Sequence, residues 1–310
     1  MKAALLTALA VFASLCQAAP VDLLVSDGVT NAVRRYDGTT GQYLGIFASG
    51  GGLDTPAGLT YGPDGNLYVV SKWTHSVLRY DGTTGAFIDI FAAGPALGEW
   101  EELAFGPDGN LYVGGYGINR VFRYNGSTGA FIDEFVSAGS GGLLTTRCFT
   151  FGPDGNLYVG TRGTEDKILR YDGVSGAFLD TFVAPGSGGL VDPLAMSFGP
   201  DGYLYVSNRY GENVLRYNGA TGEFMDVFAA GTGSHPWGID FSPNGSLYVS
   251  VHNLDKVLQY DATTGAFISE FIAPGCGGLD QPSHLLVTPE PATVFLFGIG
   301  ALVIRKRTRT

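Results

Sequence analysis

The stretch Arg35-Tyr36-Asp37-Gly38-Thr39-Thr40-Gly41 decides the architecture, because it recurs with small variations around Tyr80, Tyr124, Tyr171, Tyr217 and Tyr260. Self-similarity at a near-constant spacing, here 43 to 47 residues, is the mark of a repeat fold in which each unit buries its apolar face against the next. A second element, Gly62-Pro63-Asp64-Gly65-Asn66-Leu67-Tyr68-Val69, returns at Pro107, Pro153 and Pro200 and, as Ser242-Pro243-Asn244-Gly245, at Pro243. The first element occurs six times and the second five, so one unit is split.

Each unit reads as four short strands. Leu59-Thr60-Tyr61 alternates; Pro63-Asp64-Gly65 turns the chain, with Pro where its fixed φ fits and Gly where φ must be positive; Asn66 to Val70 is the second strand. Ser76 to Tyr80 is the third, and Asp81-Gly82-Thr83-Thr84-Gly85 leads into Ala86 to Phe91, the fourth. Four antiparallel strands per period of this length predict an all-β, six-bladed β-propeller. Pro282 to Pro289 aligns with Pro56 to Pro63, a first strand with nothing after it, while Val21 to Ser26 is a second strand with no first. The C-terminal strand is therefore expected to complete a blade with the N-terminal three.

Composition narrows function by exclusion. Eighteen basic residues against 29 acidic give −11, and a nucleic acid is excluded as a partner, since phosphate binding rests on a basic face. Cys148 and Cys276 fall on opposite blades, too far apart for the roughly 6 Å Cα separation of a disulfide.

The two ends read as addresses. Met1-Lys2, the apolar run Ala3 to Leu15 and the small residues at Ala18 and Ala19 have the three regions of a secretory signal peptide, which sets the boundaries 1–19 for the signal, 20–288 for the propeller and 289–310 for the tail. That tail is Pro289-Glu290-Pro291, an apolar stretch from Ala292 to Ile304 read as a short hydrophobic helix, and Arg305-Lys306-Arg307 with Arg309. Thirteen apolar residues are fewer than the about 20 of a comfortable span, and the basic cluster holds the far end in the cytoplasm. This ordered trio resembles the PEP-CTERM sorting signal. The resemblance implies an exosortase as partner, transient membrane association through the tail, and delivery to the outer surface or exterior of a Gram-negative bacterium. With the signal removed and the tail cut after Pro291, 13 basic residues remain against 29 acidic, or −16.

The repeats resemble NHL-type six-bladed propellers in their Pro, apolar strand, Asp-Gly turn, Leu-Tyr-Val strand and Val or Ile before a basic residue. The wider group includes streptogramin lyases and gluconolactonase-type lactonases. Only Asp27 with Asn31 reproduces the family's Asp and Asn flanking the loop between second and third strands; Ser71, Gly115, Thr161, Asn208 and Val251 stand at the Asp position elsewhere.

Chemistry is expected on one face. The Gly-Pro-Asp-Gly and Asp-Gly-Thr-Thr-Gly turns share one side of the ring, and their repetition marks those Asp residues as turn formers. The irregular loops on the other side collect Lys72, Trp73, Glu102, Tyr116, Arg147, Arg162, Arg209, Trp237, His252 and His284. These predict a channel mouth ringed by cations and aromatic rings, suited to an exopolysaccharide or a small anionic or sugar-like ligand. No cofactor is required by that reading. The resemblance to lactonases implies an alternative, a metal-dependent lactonase or lyase holding Ca²⁺ or Mg²⁺ on Asp27, Glu102, Asn208 and His284. Asp240 stands where other repeats have Thr, Ala, Ser or Leu and reads as a buried, hydrogen-bonded carboxyl.

Overall fold

The computed structural model describes residues 21–95, 98–164 and 166–288. The described strands form six four-stranded antiparallel sheets. Blade 1 contains β1 (Asp22–Asp27), β2 (Ala32–Asp37) and β3 (Tyr43–Ser49); blade 2 contains β4 (Pro56–Tyr61), β5 (Leu67–Ser71), β6 (Ser76–Tyr80) and β7 (Phe87–Ala93). Blade 3 follows with β8 (Glu102–Phe105), β9 (Leu111–Gly114), β10 (Val121–Tyr124) and β11 (Phe131–Val136), and blade 4 with β12 (Thr146–Phe151), β13 (Leu157–Thr161), β14 (Lys167–Tyr171) and β15 (Phe178–Val183). Blade 5 is β16 (Pro193–Phe198), β17 (Leu204–Asn208), β18 (Asn213–Tyr217) and β19 (Phe224–Ala229); blade 6 is β20 (Pro236–Ser242), β21 (Ser246–Val251), β22 (Lys256–Asp261) and β23 (Phe267–Ile272). The last strand, β24 (Pro282–Val287), returns to blade 1 and pairs with β1, giving the order β24-β1-β2-β3.

This is the six-bladed β-propeller expected, split blade included. The register Leu23↔Val287, Leu24↔Leu286 and Val25↔Leu285 carries the closure, and Asp22 and Thr288 exchange hydrogen bonds of 2.8 Å beside it. The inner strand of blade 2 begins at Pro56, three residues before the alternating Leu59-Thr60-Tyr61, so that Glu102, Arg147, Trp237 and His284 stand in the first residues of inner strands rather than in loops. The expected signal peptide and the expected apolar helix of the sorting segment fall outside the described residues, and among those described no helix is long and apolar enough to cross a membrane.

Local chemistry explains the repetition. In each Asp-Gly-Thr-Thr-Gly turn the Asp accepts the following N–H groups; Asp81 Oδ1 takes those of Thr83 and Thr84 and the Thr84 hydroxyl, contacts that hold its carboxyl below the ordinary range. The closing Gly lies at φ near +70°, and a Cβ on Gly85 would meet the Phe47 carbonyl oxygen of the preceding blade at 1.7 Å. Gly41 stands in the same way against Phe271 of blade 6. Blade spacing is thus set by a hydrogen atom where any other residue has carbon.

Between blades the core is aromatic. Tyr68 packs edge-on to Phe91 of its own blade at 4.9 Å and to Phe105 of the next at 5.0 Å, its hydroxyl donating to Asp64 of the turn. Tyr112, Tyr158 and Tyr205 repeat the arrangement, whereas the split blade puts Leu24 at this level. The Tyr36 and Tyr80 series is buried too and fastens the links between blades: Tyr36 donates to the Cys276 carbonyl and Tyr80 to that of Gly50.

Candidate functional site

The six inner strands run from the loop-lined mouth toward the turn face. Their register aligns Ala57, Glu101, Arg147, Leu194, Trp237 and Ser283 at the mouth, with Gly58, Glu102, Cys148, Ala195, Gly238 and His284 one residue deeper. A cavity of about 300 Å³ opens at the mouth over blades 6, 1, 2 and 3, lined by Lys72, Trp73, Glu101, Trp237, His252 and Ser283 among others. Beneath it, about 190 Å³ of channel is enclosed by all six inner strands.

The expectation of free cations around the mouth is corrected by their partners. Lys72 reaches Glu99 at 2.6 Å and Glu101 at 3.1 Å; Glu101 also receives Arg147 at 3.0 Å; Arg147 binds Asp192 at 2.8 Å. Asp192 further takes Arg209 at 3.1 Å and Arg162 at 3.6 Å. This chain links blades 2 to 5, and four cations share three carboxylates, so little positive charge is left for an anionic ligand. The guanidinium planes lie over rings, Arg147 over Tyr116 at 5.1 Å and Arg209 over Tyr210 at 4.9 Å. Asp192, fully buried, carries no sequence signal beyond being, with Glu99, one of two acids at a position where the other repeats have Thr55, Thr145, His235 and Gln281.

Toward blades 6, 1 and 2 the mouth is lined by aromatic rings beside the paired Lys72. Lys72 and His252 head equivalent loops after the second strand, and at that level blade 1 has Gly28, which opens a notch between Trp73 of blade 2 and Trp237 of blade 6. Trp73 is 52% exposed, while Trp237 is packed against His252 with ring centroids 4.5 Å apart. His252 Nδ1 lies 3.2 Å from the Pro282 carbonyl. A carbonyl only accepts, so Nδ1 carries the proton and Nε2 of the neutral ring is an acceptor. Burial lowers the His252 pKa from 6.5 to about 4 and keeps the ring neutral.

The four residues of the metal alternative do not converge. Asp27 is fully buried and spent on its own loop, accepting from the N–H groups of Val29 and Thr30 and from Arg34 at 2.5 Å. Asn208 is equally saturated, accepting from Val191 and donating to Gly189 and Asn213. Glu102 and His284 do meet, Oε2 to Nε2 at 3.4 Å, in the channel below the mouth. Among the described residues no three His, Cys, Asp or Glu side chains gather as a metal site. Cys148 and Cys276 are both free, and burial pushes the Cys148 thiol well up.

Asp240 lines the channel half-buried, not fully buried as expected, and is hydrogen-bonded as expected, accepting from the N–H groups of Phe241 and Val287; desolvation raises its pKa to about 6. Its linkage to pH opposes that of His252. Between about pH 6.5 and 4 the unfolded chain protonates His252 before the folded one, so acidification costs stability; between about 6 and 3.8 the folded chain holds the Asp240 proton more tightly, so acidification adds stability. Each effect is worth at most about 3 kcal/mol. Urea unfolding at pH 7 and 4.5 is expected to show the wild-type advantage over His252→Gln shrinking on acidification, and that over Asp240→Asn growing. Parallel profiles for the two variants would contradict these assignments.

Comparison with known proteins supports the address and the fold. Residues 287–309 match the PEP-CTERM protein-sorting motif, and no curated protein matches the chain. A chain of the crystal structure of a nidogen/laminin complex superposes with a TM-score of 0.69 at 15% identity, covering 87% of this chain and 98% of that one. A protein of unknown function from Bacteroides caccae gives 0.66 at 16% identity, covering 87% of this chain and 100% of its own. These likenesses show the fold. The motif marks a protein exported to the cell surface or exterior of a Gram-negative bacterium through exosortase sorting. Replacing Pro289-Glu290-Pro291 by three alanines is expected to leave export intact, because residues 1–19, read from the sequence as the export signal, are untouched, and to leave the tail uncleaved. Intact mass of the exported protein checks this, and normal tail removal would count against it.

Proposed function

We propose that this exported propeller is a binding module of the cell surface or extracellular matrix, and that it takes a neutral saccharide at the mouth. The observation that carries the reading is the notch over Gly28, flanked by the half-exposed Trp73 and an edge of the largely buried Trp237. An indole left in water beside a second one is apolar surface that the faces of sugar rings cover well. The polar groups around it suit hydroxyls: His252 Nε2 accepts, and Lys72 and Glu101 stand in the same cavity. About 300 Å³ is at the small end of ligand pockets, so the site grips one or two rings of a chain that extends outward. The internal pairing of Lys72, Arg147, Arg162 and Arg209 favours a neutral ligand over an acidic polysaccharide.

The test is isothermal titration of the mature domain against neutral and acidic oligosaccharides. Trp73→Ala is expected to weaken neutral-sugar binding about tenfold, the effect of losing one stacking contact, with unchanged unfolding because the side chain is exposed. Binding that instead collapses with added salt and persists in Trp73→Ala would point to the cations after all.

A further inference from the structure

The place where the chain leaves the ring fixes how the protein stands before its tail is removed. In blades 2 to 5 the inner strand ends in a Gly-Pro-Asp-Gly turn, and in blade 6 in Ser242-Pro243-Asn244-Gly245. In blade 1, Thr288-Pro289 occupies the position of Gly62-Pro63, and the sequence continues into the sorting segment instead of turning back. The last hydrogen bonds of the ring, Thr288 N–H to the Asp22 carbonyl and Asp22 N–H to the Thr288 hydroxyl, pin that departure point beside the innermost strand of the split blade. Both ends of the described chain therefore emerge together on the turn face, next to the channel axis, and the Trp73–Trp237 notch lies at the other end of the inner strands.

The spacer to the apolar run is short. Three residues separate Thr288 from Ala292, and the four Cα-to-Cα steps span about 14 Å at full extension. We infer that, while the tail is retained in the bilayer, the turn face is the membrane-facing surface of the propeller and the mouth points away from it. A lipid surface suits this face as a neighbour held by a tether, not as a surface to which it adheres. Asp37, Asp81, Asp172 and Asp261 are kept ionised by their turn hydrogen bonds, and like charge keeps them off anionic headgroups. The mouth is then open before sorting is complete, and a ligand outside the membrane reaches it without the ring turning over.

Labelling of the full chain tests this in spheroplasts of a host lacking an exosortase, so that the tail stays on. In a Cys276→Ser background, where Cys148 is buried, single cysteines are placed at exposed Val29 on the mouth side and at exposed Thr83 and Ala220 on the turn side, on opposed blades. A bulky, membrane-impermeant PEG-maleimide is expected to modify Val29→Cys several-fold faster than either turn-side cysteine. A long Gly-Ser spacer inserted between Thr288 and Pro289 is expected to remove the difference. Equal rates in the unspaced chain, or faster labelling of the turn side, would overturn the orientation. The readout involves no saccharide, so it stands or falls apart from the proposed ligand.

Discussion

A chain lacking Pro282 to Val287 is expected to lose its single cooperative unfolding transition and to aggregate. Those residues form β24, which supplies the inner edge of blade 1 and bridges its neighbours: Ser283 donates to the Pro56 carbonyl of blade 2, and Val287 N–H donates to Asp240 of blade 6. Without them the edge of β1 faces the channel with Leu23, Leu24 and Val25, all fully buried in the closed ring, uncovered. An unpaired apolar edge is a template for pairing with other chains, and a propeller open at one joint loses the packing that couples blade 6 to blade 1. Differential scanning calorimetry and light scattering check this, and a melting curve like that of the intact protein would contradict the closure.

Asp192→Ala is expected to cost about 3–5 kcal/mol, the range for removing one partner of a buried ion pair. Arg147 is almost wholly buried between Asp192 and Glu101, so the variant leaves it only Glu101, already shared with Lys72, while Arg209 and Arg162 lose the same carboxylate. At the roughly 2–4 °C per kcal/mol typical of a domain this large, the midpoint should fall by roughly 10 °C. Asp192→Asn keeps the shape and one acceptor, and should fall by less. A loss under about 1 kcal/mol for the alanine variant would show that water already screens the network, as it does for surface pairs.

The ring was legible because its determinants are local. Gly at positive φ, Asp capping a turn and alternating apolar strands must recur wherever the unit recurs, and the split blade showed itself as Thr288-Pro289 standing where Gly62-Pro63 does. The mouth was legible only in part. The loops that carry Lys72, Trp73, Trp237 and His252 could be placed by counting along each unit, and the structure brings those four to one cavity. Their charge balance could not be read, because the acids that neutralise Lys72 and Arg147 come from other blades, 27 to 46 residues away. Asp27 and Asn208 misled for the opposite reason. Each looks like a ligand at the head of a loop, yet its hydrogen bonds go to nearby backbone and loop partners, leaving nothing to offer a metal.

Stacking at the mouth has a direct optical signature. Of the three tryptophans, Trp100 is fully buried and Trp237 nearly so, whereas Trp73 is half exposed, which makes it the principal target of a collisional quencher. Acrylamide quenching of the mature domain, with and without a neutral oligosaccharide, therefore reports on the notch itself. A saturating sugar is expected to protect the accessible fraction of the emission, and Trp73→Ala to abolish both that fraction and its protection. Quenching of the wild-type protein left unchanged by every neutral sugar, with Trp73 still accessible throughout, would contradict it.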